Sequence, residues 1–222
     1  DDTRMFEMIS AQLCFWDEYG LDGSFGRDRH EMIDEVYAEL DPIKLFSGIL
    51  KSGNRYKVGY ACRRLADFDA FDYLNDIYEL SKGRNRSVAY NAAMALSRLG
   101  YTEGVAEYIL KIEEDKRYSF RIINELFATF SSDRAELAQQ VLEKCDDHMK
   151  AVVIKSIAPY AFAQFRQLYL DGITSKMPDM RVACVRALAE LADPKDEHTL
   201  LVAAKDVDWV VRSAAVRGLQ RM

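Results

Sequence analysis

Proline is scarce in this chain, with four residues, and glycine is modest, with eleven among 222. A protein of strands and tight turns draws heavily on both, so their shortage argues for helices. Ala, Leu, Arg, Glu and Lys fill most segments, and all are good helix formers. No apolar run approaches the roughly 20 residues of a membrane span, and no signal-peptide pattern is present. The three histidines, His30, His148 and His198, lie far apart without H-x-x-x-H spacing. A helical metal pair is therefore excluded. The four cysteines, Cys14, Cys62, Cys145 and Cys184, form no CxxC pair. Cys145 and His148 have a ligand-like spacing, but no second pair completes a tetrahedral site. The cysteines read as small buried apolar residues of a reducing compartment, which makes the expected location cytoplasmic.

Catalytic signatures are missing too. No G-x-S-x-G, P-loop or dinucleotide fingerprint occurs. Gly20, Gly23 and Gly26 follow an apparent helix rather than a strand and read as a plain loop. The acidic runs Glu113-Glu114-Asp115 and Asp146-Asp147 fall at inter-helix turns. There they can cap the following helices and favour the positive end of the helix dipole. The expectation is a protein without catalytic residues, metal or cofactor. The formal net charge of −6 and sequence pI near 5.2 argue against strong non-specific nucleic-acid binding, which needs a basic footprint. The chain opens Asp1-Asp2 without an initiator Met, which keeps open a tether through a segment upstream.

What is present is a long period. Met180-Arg181-Val182-Ala183-Cys184-Val185-Arg186-Ala187-Leu188 aligns with Val211-Arg212-Ser213-Ala214-Ala215-Val216-Arg217-Gly218-Leu219, 31 residues later. Stepping back from Leu219 gives Leu188, Ile157, Phe127, Leu96 and Leu65, at steps of 30 or 31. Three residues after each stands a second column, Phe68, Leu99, Phe130, Tyr160, Leu191 and Met222. Four residues before the first stands a third, Ala61, Ala92, Ile123, Val153, Cys184 and Ala215. Spacings of three and four place these columns on one helical face. Shorter apolar segments lie between, at 71–80, 105–112, 137–142, 165–170 and 198–204. Each unit is then a helical hairpin, with an outer helix followed by an inner one. Turns fall at Lys82-Gly83, Leu99-Gly100, Ser131-Ser132-Asp133, Asp171-Gly172 and Asp193-Pro194.

This pattern resembles the HEAT-repeat (armadillo-like) family, in particular the short bacterial repeats of the phycobilisome-lyase type. The match is carried by Asp179-Met180-Arg181 with Ala187 to Pro194, by Val211 to Val216, and by Val88 with Ala92 to Gly100. The units around Phe127 and Ile157 depart from it, with Phe120 and Lys150 where Arg is usual and Asn124 at an apolar position. The resemblance implies an all-α, right-handed α-α superhelix, a solenoid of about six hairpins over residues 41–222. Residues 1–40 fall outside the repeat. Met5, Phe6, Ile9, Leu13 and Trp16 indicate an amphipathic helix there, read as an N-terminal cap for the stack, or else as a docking helix.

Charge is unevenly spread over this scheme. The inner helices, taken as 55–68, 84–99, 116–130, 147–160, 178–191 and 207–222, hold seventeen basic residues against six acidic ones. One position in each should point away from the core: Arg63, Met94, Glu125, Lys155, Arg186 and Arg217. A cationic stripe on an acidic protein attracts an anionic partner. Candidate partner-binding residues are Arg63, Tyr60, Tyr90, Arg98, Arg121, Lys155, Arg186 and Arg217. Arg181 and Arg212 sit where the family's arginine often pairs with an Asp of a neighbouring turn, which makes them structural. The functional expectation is a protein-interaction scaffold whose basic concave groove holds an acidic peptide or protein surface. The alternatives are a nucleic-acid module resembling HEAT-like DNA glycosylases, a chromophore-handling subunit, and a structural domain of a membrane-tethered assembly.

Overall fold

The computed structural model describes residues 41–51, 54–114 and 119–222. The N-terminal cap expected over residues 1–40, with Cys14 and His30, lies outside these, as do Lys116 and Arg117. Helices make up 78% of the described residues, with no strand among them, so the chain is all-α. It divides into two compact units, Asp1–Ala95 and Leu96–Met222.

In the first unit, α1 (Pro42–Leu50) starts with proline, whose missing N–H costs nothing at that position. Asp41 caps it by accepting the Lys44 N–H at 3.0 Å. In α2 (Arg55–Asp67), Asn54 accepts the N–H groups of Tyr56 and Lys57. A 3-10 turn (Phe71–Tyr73) leads into α3 (Leu74–Ser81), and α4 (Arg86–Arg98) runs across the unit boundary. Phe46, Ala61, Cys62, Leu65 and Ile77 are fully buried. Phe46 stacks on Phe68 at 6.2 Å and meets the edge of Tyr60 at 5.8 Å. Gly59 lets α2 approach α4, since a Cβ there would lie 3.2 Å from the Asn91 amide.

The second unit continues with α5 (Thr102–Glu114), α6 (Phe120–Thr129), α7 (Arg134–Leu142) and α8 (Asp147–Ile157). It ends with α9 (Arg166–Gly172), α10 (Pro178–Leu191), α11 (Glu197–Ala203) and α12 (Trp209–Leu219). Even-numbered helices pack side by side, α6 on α8, α8 on α10 and α10 on α12. Hairpin partners also touch, α7 with α8, α9 with α10 and α11 with α12. Ser119, Asp133, Asp146 and Asp208 cap the starts of α6, α7, α8 and α12 with their side-chain oxygens. The Glu113 carboxylate accepts the Asp146 N–H, so the first acidic run ties one turn to the next.

The first and third columns are buried at every position but Leu219. Leu65, Leu96, Phe127, Ile157 and Leu188 are 0% exposed and Leu219 is half-buried, while every member of the third column, Ala61, Ala92, Ile123, Val153, Cys184 and Ala215, is 0% exposed. The second column is looser, with Phe68, Tyr160 and Leu191 half-buried and Met222 exposed. Immediately after it the backbone turns left-handed at Asp69, Gly100, Ala161 and Ala192, at multiples of the repeat step. These residues follow the ends of helices, and only one is the glycine that such a position favours.

Candidate partner-binding groove

Two adjoining clefts of about 360 and 230 Å³ open on the second unit and share Phe120, Lys155 and Arg186. They form over a stripe of residues on α8, α10 and α12. On α8 the stripe is His148, Val152 and Lys155, on α10 Asp179, Val182 and Arg186, and on α12 Val210, Ala214 and Arg217. Spacings of three and four keep each set on one face. The floor is low because small residues meet there. A Cβ at Gly218 would lie 2.6 Å from the Cβ of Ala189, so α12 approaches α10 as closely as glycine permits.

Charge is graded along the groove. At the starts of the helices stand Asp179, which is exposed, and Asp208, whose carboxylate is committed to the Val210 and Val211 N–H groups. At the other end stand Lys155, Arg186, Arg217 and Arg221, with Glu190 as the single carboxylate. Glu190 pairs with Arg221. The Lys155 ammonium lies 4.1 Å from the centre of the Phe120 ring, a cation–π contact that leaves its charge uncompensated. Arg217 bonds Ser213 of its own helix through the carbonyl and hydroxyl oxygens, both at 3.3 Å. Arg186 has no hydrogen bond or ion pair among the described residues. Lys155 and Arg217 lie in last helical turns, where the dipole also favours cations.

Three of the eight candidate residues, Lys155, Arg186 and Arg217, thus come together. Arg121 is exposed but pairs with Glu125 at 3.0 Å, so that turn carries little net charge. Arg98 is exposed at the end of α4. Arg63, Tyr60 and Tyr90 belong to the first unit. Arg63 is exposed there, Tyr90 is half-buried, and Tyr60 is 38% exposed with the Arg64 guanidinium over its ring. The outward column fails at Met94, which is buried at 9% exposure. An apolar side chain gains from leaving water, and a helical register does not override that. Phe120 and Arg221 were missed as candidates. Arg221 follows Arg217 by four residues, which is the signal that would have found it.

Other arginines are held inside the fold, and Arg181 is one of them. Its guanidinium binds both oxygens of Asp206, at 2.8 and 2.9 Å, and the carbonyls of Ser175 and Lys176. The pair holds the Asp206 carboxyl below the ordinary carboxylate value. Arg166 grips the fully buried Asp196 in the same bidentate way. Arg212 differs from the expected pairing with a turn carboxylate. It donates instead to the carbonyls of Asp206 and Val207, because Asp206 is already occupied by Arg181.

His148 and His198 are exposed on separate helices, and Cys145 is buried. Among the described residues no cluster of three metal-ligating side chains exists, and no helix is long and apolar enough to cross a membrane. Burial pushes the thiols of Cys62, Cys145 and Cys184 up to about 12. No protein-family model and no curated protein matches the chain.

Proposed function

We propose that this chain is a HEAT-like repeat scaffold without catalysis of its own, which holds an acidic peptide or protein surface along a concave, cationic groove. The observation that carries this reading is the end of the groove. Lys155, Arg186, Arg217 and Arg221 face one cleft with Glu190 as their only carboxylate, on a chain of net charge −6. With Glu190 taken up by Arg221, the remaining cations carry a net positive charge that costs self-repulsion and is relieved by an anionic occupant. The repeat reading is supported by the buried columns at steps of 30 or 31 and by the left-handed residues that follow them.

The test is affinity capture from the native host lysate, with wild type beside an Arg186→Glu, Arg217→Glu variant shown by circular dichroism to be folded. The expected outcome is a protein retained by wild type and lost by the variant. Loss of nucleic acid in the same comparison would replace this reading with the nucleic-acid one. Equal capture by both chains would remove the groove as the site.

A further inference from the structure

We propose that the groove takes a linear segment of graded chemistry, with two or more carboxylates at one end of a short aliphatic run and none at the other. This inference rests on the scaffold reading and specifies its partner. The groove is not uniformly cationic. Arg186 and Arg217 mark one end, Val152 and Val182 the middle, and Asp179 and Asp208 the other end. Carboxylates gain at the first end, aliphatic side chains bury against the second region, and a further carboxylate is repelled at the third. Along α10, Asp179 and Arg186 are separated by two helical turns, roughly 10 Å at 1.5 Å per residue. An extended segment covers that distance in about three residues, at roughly 3.3 Å each. Carboxylates and aliphatic residues of the occupant should therefore stand within two or three positions of each other. A polyanion of constant charge density, such as single-stranded DNA or polyglutamate, fits the cationic end but meets Asp179 and Asp208 at the other.

The experiment is selection of random dodecapeptides displayed on phage against the full chain, followed by fluorescence anisotropy of the synthetic consensus. The expected consensus has paired carboxylates beside aliphatic residues on one side only. Its affinity should fall about tenfold or more on the Arg186→Glu, Arg217→Glu variant, a change of roughly 1.4 kcal/mol or more. A version with carboxylates at both ends should bind more weakly to wild type and recover on Asp179→Asn. Selection of peptides without carboxylates, no selection at all, or equal binding of the doubly acidic version would overturn the inference. If no peptide is selected while lysate capture still depends on Arg186 and Arg217, the scaffold reading stands with a folded partner and the linear segment falls. If capture also fails to depend on them, both fall.

Discussion

Arg181 and Arg186 lie one and a half turns apart on α10, and their surroundings separate a structural arginine from an available one. Arg181 is 9% exposed and meets four acceptor oxygens. Removing one partner of such a buried pair strands the other, so Arg181→Ala should cost about 3 kcal/mol in urea unfolding. Arg186→Ala, which breaks no bond, should stay within about 0.5 kcal/mol of wild type. The Arg181–Asp206 pair also has a pH signature. Because the folded Asp206 carboxyl titrates below its ordinary value, its contribution is fully present above that ordinary value, 3.8. It is lost as the pH falls through the depressed value. The stability gap between wild type and Arg181→Ala should therefore be constant from pH 5 to 7 and narrow below pH 4. The cysteines give a second check at this scale. With thiols raised to about 12, the thiolate is negligible at pH 8. Peptide mapping after iodoacetamide treatment should find Cys62, Cys145 and Cys184 unmodified in the folded chain and alkylated in urea.

Helix ends and close approaches carry the argument at the scale of the element. Ala161 and Ala192 terminate their helices at φ 50 and 49, a region where a Cβ is strained. Ala192→Gly should stabilise by about 0.5 kcal/mol, the relief of that strain less the extra freedom of glycine in the unfolded chain. Gly218→Val should act oppositely. It forces a side chain into the space held by Ala189 and should destabilise by about 2 kcal/mol while widening the groove. Sequence made these elements legible to different degrees. The columns at Leu65 and Ala61 and their equivalents were readable because burial imposes a helical period on residue type. The helix stops were less so: Gly100 and the Asp193-Pro194 pair after Ala192 mark two of them, whereas Ala161 carries no local signal. The outward column failed at Met94, and the Arg166–Asp196 and Arg181–Asp206 pairs span 30 and 25 residues. A spacing rule does not say which carboxylate a guanidinium will reach. Phe120 escaped for a related reason. It entered only as a departure from the arginine pattern, yet its ring supports Lys155.

For the molecule as a whole the governing quantity is the contrast between a net charge of −6 and the cationic end of one groove. An interaction held by such a contrast is screened as the Debye length falls from about 10 Å at 0.1 M salt towards 3 Å at 1 M. Retention of the captured partner should accordingly weaken steeply between 0.1 and 0.5 M sodium chloride, whereas retention through apolar contacts alone would not. The most direct test of the groove is to ask in the native host what touches it. A photo-reactive amino acid placed at Val182, on the groove floor, is compared with one placed at His198, exposed on α11. A discrete cross-linked partner at Val182, absent at His198 and lost with Arg186→Glu, Arg217→Glu, is the expected result. Cross-links at His198 with none at Val182 would contradict the account and move the binding surface to the other side of the hairpins.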